Sequence, residues 1–225
     1  MAERRVLVVG LNRFGKALVT TLWKAKAEVV VIDSDPEEVA DVKESCSAAF
    51  VGDVADPKVL AQIGAQEVDV VMPWREPAAA PALLAAVRQA CRGLTLKVIL
   101  ETGVLADDDA VRRTCRVALD AGADFLKTST GKAPVNATPQ AARLLLQAIA
   151  GDAAARGRVG FKPAGGIRTV ADAAVYVGLV REHLGDAALT PARFRIGASA
   201  LLDDIEAVLA GVPRPPETPA PVPRY

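Results

Sequence analysis

The sequence predicts an α/β protein of eight βα units, arranged as a TIM-like (βα)8 barrel whose first three units are Rossmann-like. Short β-branched runs alternate with longer Ala- and Leu-rich segments of helical period, the pattern of a parallel sheet with helical crossovers. The runs begin near Val6 (VLVVG), Val29 (VVVID), Ala48 (AAFVGD), Glu67 (EVDVVMP), Leu96 (LKVILE), Phe125 (FLKTST), Val159 (VGFKPAGG) and Phe194 (FRIGAS). Their number is that of a (βα)8 barrel. The early runs recur roughly every 20 residues, as in tight doubly wound units, and the later ones roughly every 30, near the ~31 per unit of a ~250-residue barrel. An open, doubly wound parallel sheet is the alternative. There strand four sits beside strand one, whereas in a barrel it sits beside strand three and strand eight closes on strand one.

Composition narrows the class. The 225 residues, 51% hydrophobic and 24% charged, give ample length for a core. Lys plus Arg and Asp plus Glu stand at 27 each, so no basic field steers the chain to nucleic acid or an anionic membrane. No apolar run approaches the ~18 residues that read as a membrane span. The opening MAERR leads into a burst too short for a signal peptide. Cys46, Cys91 and Cys115 lack metal-ligand spacing, and one histidine, His183, cannot supply a His-rich metal site. A soluble, cytoplasmic protein without a metal is expected.

Residues 1–66 hold the first three units. VLVVG-L-N-R-F-G puts Gly10, Asn12 and Gly15 at the G-x-G-x-x-G positions, after a strand and before a helix. Asp33 ends the next strand, where an acid would bind a ribose hydroxyl. Small residues there let backbone N–H groups and the helix N-terminus reach a pyrophosphate. Asn12 tolerates the turn, but its side chain occupies the phosphate's approach. GLNRFGKALVTTL, VVVIDSDPEEV and FVGDVADPKVLAQIGAQEVDVV, about residues 4–72, resemble the nucleotide-binding domain of the Trk/Ktr-type regulators of potassium conductance. That resemblance implies a fold and NAD or adenine-nucleotide binding at Gly10, Gly15 and Asp33. The alternative is a βαβ scaffold that binds nothing.

Residues 67–211 hold the later five units, and two of their strands end on lysine. DFLKTSTGK puts Lys127 at a strand's carboxyl end, and VGFKPAGGIRT puts Lys162 at the end of the next. Sites in parallel α/β proteins form at that edge. Adjacent strands lie ~4.8 Å apart. Two like charges about 4 Å apart at an effective dielectric of ~20 repel by ~4 kcal/mol, enough to favour a neutral, nucleophilic amine. Asp69, in EVDVV, could keep one lysine charged or relay a proton. Gly131, Gly165, Gly166 and Gly197 follow these strands, with Lys132 and Arg168 adding charge, a composition suited to phosphate. The predicted ligand is a phosphorylated carbonyl compound.

From about Glu67 to Ala210 the chain resembles 2-deoxyribose-5-phosphate aldolase nearly block by block. EVDVVMPWR, LKVILETGVL, AGADFLKTSTGKAPVNATPQAARL, VGFKPAGGIRTVADA and FRIGASALL carry the likeness. The resemblance implies that Lys127 forms a Schiff base with acetaldehyde, that Lys162 activates it, and that Asp69 assists proton transfer. It also implies a phosphate held by Gly131, Lys132, Gly165, Gly166, Arg168, Gly197 and Ser199, and a proton-transfer role for the terminal Tyr225. Two departures stand out: the first three units carry the nucleotide-domain pattern, and Ala200 replaces a serine frequent in the family. A chimera is the expectation, with its weak seams between strands 1 and 8 and between strands 3 and 4.

Other residues have plainer readings. Glu101 either caps the following turn or joins the lysine network. His183 in REHLGD sits near a helix end. Trp74 lines the site or shields the core, and Trp23 is packing or surface. The Pro-rich 212–225 is an extended tail. Two functions compete: a class I aldolase, cofactor-free, acting on a small phosphorylated aldehyde or sugar as monomer or homodimer; and a non-catalytic nucleotide-binding module or inactive scaffold.

Overall fold

Strand β2 (Glu28–Asp33) organises the N-terminal part of the chain, because Val29, Val30, Val31 and Ile32 are all buried. A β-branched run buried on both faces belongs at the centre of a parallel sheet. In the computed structural model, which describes residues 5–11, 13–53, 66–198 and 200–211, β1 (Arg5–Val9) and β3 (Ala48–Val51) flank it in parallel, in the order β1-β2-β3. Helix α1 (Arg13–Lys24) lays Val19 against Val8, Leu11, Val29 and Val31. The short α2 (Pro36–Ala40) starts where Asp35 accepts a hydrogen bond from Glu37 N at 2.9 Å, with Pro36 preset for the first turn. Lys16 joins the two helices by ion pairs to Glu38 and Asp41.

Strand β4 (Glu67–Val71) opens a separate parallel ladder with β5 (Thr95–Ile99), in a register that sets Asp69 beside Lys97. Among the described residues β4 is hydrogen-bonded neither to β1, where a Rossmann-type order would set it, nor to β3, where a barrel would. Helix α3 (Ala80–Ala90) follows β4. Its Arg88 donates to Asp124 Oδ2 at 2.8 Å and to Leu94 O at 2.7 Å, and Asp124 in turn accepts from Leu96 N. Asp124 N donates to Leu96 O, so the chain enters β6 (Phe125–Lys127) alongside β5.

The chain forms two compact units, residues 1–100 with 113–126, and residues 101–112 with 127–225. The division passes through α4 (Asp108–Asp120) and through β6 between Leu126 and Lys127. In the second unit Thr128 N donates to Lys162 O at 3.2 Å, which sets the end of β6 beside β7 (Gly160–Lys162). Helix α5 (Pro139–Gly151) is capped by Thr138 and buries Leu144, Leu145, Leu146 and Ile149. Helix α6 (Val170–Leu184) begins with a capping box between Thr169 and Asp172. Helix α7 (Leu201–Leu209) is tied to it where Val170 N donates to Asp204 Oδ2 at 2.7 Å.

The eighth predicted strand is reduced to two parallel bridges, Phe161 with Phe194 and Ala164 with Gly197. The Phe161 and Phe194 rings, 6.4 Å apart and 18° from parallel, anchor the first of them. A third helix after β3 would fall in 54–65, outside the described residues, as do the 212–225 tail, Asn12, Ser199 and Tyr225. Among the described residues no helix is long and apolar enough to cross a membrane.

Candidate active site

Lys127 and Lys162, both in the second unit, end the adjacent strands β6 and β7, each half-buried at its strand's carboxyl end. The residues after Lys127 turn inward. Thr128 and Ser129 are fully buried, Ser129 Oγ donates to Ala164 O at 2.5 Å, and Thr128 Oγ1 accepts from Ala164 N at 3.0 Å. The loop after Lys127 is thus sewn to the loop after Lys162 by two hydroxyls. Gly165 closes the second loop by donating to Gly197 O at 3.0 Å. Its φ is +81°, and a Cβ there would stand 2.8 Å from Asn136, so only glycine fits. At Gly197 the missing side chain leaves room for Ala164, whose Cβ would lie 2.8 Å from a Cβ there, and the Lys162 Cε passes 3.5 Å from the same point.

Of the residues nominated for phosphate binding, Gly165 and Gly197 are hydrogen-bonded to each other, Gly131 and Lys132 follow β6, and Ser199 lies outside the described residues. Gly131 and Gly166 take positive φ, and Lys132 N donates to Thr130 Oγ1 at 3.2 Å. Lys132 is exposed, yet desolvation by the surrounding turn pushes its ammonium below its usual range, and the Glu101 charge opposes that shift. Arg168 is exposed, and its backbone N–H is taken by Asp172 at 3.0 Å. Glu101 itself is buried, in the left-handed region at φ 52°, with its carboxylate on Thr130 N. The sequence left its role open between turn and network. In the structure it belongs to the lysine loop.

Asp69 lies in the first unit with a partner that the sequence reading missed. Lys97, 3% exposed, places Nζ 2.7 Å from Asp69 Oδ2 and 2.8 Å from Glu67 Oε2. The signal was available, since a lysine inside the apolar run LKVIL must be paired if that strand is buried. Thr128 and Ser129 were also missed, as hydroxyls beside a conspicuous lysine.

The nucleotide fingerprint is also assembled, but around itself. Gly10 N donates to Ile32 O at 3.0 Å, and a Cβ on Gly15 would stand 1.9 Å from Gly10 O. The N–H groups of Asp35 and Leu11 hold the Asp33 carboxyl below its usual range, with Asp35 N on Oδ1 at 2.9 Å and Leu11 N on Oδ2 at 2.5 Å. The acid that a ribose would call on is engaged by the chain's own turn. The Asp33 carboxylate keeps acceptor capacity beyond these donors, and Asn12 lies outside the described residues.

Comparison with known proteins bears on both halves. Residues 6–102 match the TrkA-N domain family. The deoxyribose-phosphate aldolase of Agrobacterium fabrum (strain C58 / ATCC 33970) is 45% identical over 191 residues, covering 82% of this chain and 68% of that protein. An apo structure assigned as a deoxyribose-phosphate aldolase from Toxoplasma gondii ME49 overlays 92% of this chain on 93% of its own, with a TM-score of 0.63 and 22% identity. The deoxyribose phosphate aldolase from Aeropyrum pernix, described as tetrameric, overlays 88% of this chain on 76% of its own, with a TM-score of 0.55 and 23% identity. These overlays define the class, a parallel α/β protein with the TIM-barrel fold of these aldolases. With its 45% identity to the Agrobacterium protein, the chain belongs to the deoxyribose-phosphate aldolase family. At 82% and 92% coverage, that likeness extends into the span that also matches TrkA-N.

Proposed function

We propose that the protein is a class I aldolase, a lyase that cleaves 2-deoxy-D-ribose 5-phosphate to acetaldehyde and D-glyceraldehyde 3-phosphate, with no cofactor. The observation that supports it most is the pairing of Lys127 and Lys162 on adjacent strand ends, with their loops sewn together through Ala164. The Lys127 amine adds to the aldehyde carbon of the open-chain sugar, and loss of water leaves an iminium. The C3 hydroxyl then gives up its proton, the C2–C3 bond breaks, and its electron pair enters the enamine while glyceraldehyde 3-phosphate departs. Protonation at C2 and hydrolysis release acetaldehyde and restore the amine. Lys162 supplies positive charge beside that amine, and Asp69 takes part in moving the proton. Tyr225 is assigned to the same proton step.

Gly131, Lys132, Gly165, Gly166, Arg168, Gly197 and Ser199 are the proposed phosphate contacts, mixing backbone donors with two cations. The units 1–66 and 67–211 serve as one combined barrel, followed by the 212–225 tail. The TrkA-N pattern of the first units supports a hybrid ancestry in which they supply fold rather than a nucleotide site. The same reading places the protein in the cytoplasm, as monomer or homodimer. Intact mass after borohydride treatment with acetaldehyde tests the assignment. A reduced adduct in the parent and none in Lys127→Ala is expected; a folded parent without an adduct sinks it.

A further inference from the structure

Segment 101–103 touches the lysine loop at three places. Thr102 N donates to Thr128 O at 2.9 Å. Both carboxylate oxygens of Glu101 face Thr130 N, at 3.2 and 3.4 Å. Gly103 is pressed so close to the 135 carbonyl that a Cβ would stand 1.9 Å from Val135 O. The middle contact is the unusual one, because Glu101 is only 5% exposed. It also sits at φ 52°, a left-handed conformation that a long side chain adopts at a cost of order 1 kcal/mol. A glutamate that only ended β5 would need neither burial nor strain. Its carboxylate accepts from one backbone donor, Thr130 N, in the middle of T-S-T-G-K, and its charge also acts on the Lys132 ammonium.

We propose that Glu101 is a positioning residue. It fixes Thr130 so that the Thr130-Gly131-Lys132 turn holds its donors toward a phosphate. The inference rests on the aldolase reading for the identity of that phosphate but not for its geometry. The turn gains a second internal tie from Lys132 N to Thr130 Oγ1. Holding Thr130 therefore holds the backbone on which Gly131 and Lys132 sit. Without the carboxylate, the turn would trade one fixed arrangement for several, and a phosphate would have to select the competent one.

The test uses two substitutions in the full chain. Glu101→Asp keeps the charge and tolerates a left-handed backbone, but is one methylene too short to reach Thr130 N. Glu101→Gln keeps the length and an acceptor oxygen but loses the charge. Calorimetric titration with glycerol 3-phosphate should show about a tenfold loss of affinity in Glu101→Asp and near-parental affinity in Glu101→Gln, as expected for one lost hydrogen bond to a charged acceptor. The preference in kcat/KM for 2-deoxyribose 5-phosphate over unphosphorylated 2-deoxyribose should fall in the same proportion in Glu101→Asp only, a split that loss of stability alone would not produce. Parental affinity in Glu101→Asp would overturn the proposal. So would an equal loss in both variants, or a folded parent that does not bind glycerol 3-phosphate. A parent that binds glycerol 3-phosphate but gives no borohydride adduct would instead sink the aldolase reading and leave the Glu101 test intact.

Discussion

Lys97 Nζ stands 2.7 Å from Asp69 Oδ2, across a parallel register that sets the two residues side by side on β5 and β4. Glu67 completes the cluster from 2.8 Å. The lysine is almost wholly buried while both acids keep about a third of their side-chain surface in water, 35% each. The arrangement therefore solvates the ammonium with protein oxygen and leaves the excess negative charge toward solvent. Lys97→Met removes the shared counter-ion and sets two carboxylates on the same strand against each other. Breaking a buried pair costs 3–5 kcal/mol, and the partial exposure of the acids lowers the expectation to about 2 kcal/mol. Urea unfolding of the variant against the parent measures it.

The acid limb of stability should depend on Asp33. Its carboxyl is held below the usual range by the N–H groups of Asp35 and Leu11. A depressed folded-state value contributes stability that is present above the unfolded pKa near ~3.9 and is lost as pH falls through the folded one. Asp33→Asn keeps an acceptor but has no charge to lose. Melting temperature followed from pH 6 downward should therefore fall less steeply below about pH 4 in Asp33→Asn than in the parent. Equal slopes would count against the turn-closing role.

Thr128 offers a test of the stitching between the two lysine loops. Its hydroxyl accepts from Ala164 N at 3.0 Å in a fully buried setting. Thr128→Val preserves shape and strands that N–H, at a cost of about 1–3 kcal/mol. Chemical denaturation should record that loss. Adduct formation with acetaldehyde should fall further than stability does, because the ends of β6 and β7 lose their common fixed point.

Gly103 has no tolerance for a side chain. A Cβ there would stand 1.9 Å from Val135 O, a backbone atom, so the 133–137 segment would have to move. Gly103→Ala should destabilise by about 1–3 kcal/mol, the usual range for overpacking. Gly131→Ala, where nothing lies within 4 Å, should instead show only the strain of its φ of +87°. The two melting curves separate crowding from backbone strain.

The parts of this molecule legible in its sequence are those with local signatures. β-branched runs gave the strands, and FLK and GFK put Lys127 and Lys162 at strand ends. What escaped depends on partners distant in sequence. Lys97 reads as an isolated charge until the register brings Asp69 beside it. Asp33 reads as a bare carboxylate at a strand end until Leu11 N and Asp35 N are found on its oxygens. The eighth run, FRIGAS, has strand composition, yet it pairs only at Phe194 and Gly197. The roles of Gly15 and Gly103 are likewise invisible without the carbonyls they approach.

The capping box at the head of α6 has one more consequence. Asp172 accepts from both Arg168 N and Thr169 N at 3.0 Å, and Asp204 accepts from Val170 N. Three N–H groups at the positive end of that helix are therefore already neutralised by carboxylates from the chain itself. An anion arriving at this edge is left with the glycine turns and the exposed cations Lys132 and Arg168. Attraction that rests on exposed cations is screened over a Debye length of ~10 Å at 0.1 M salt. The grip on phosphate should accordingly track ionic strength, loosening in concentrated salt.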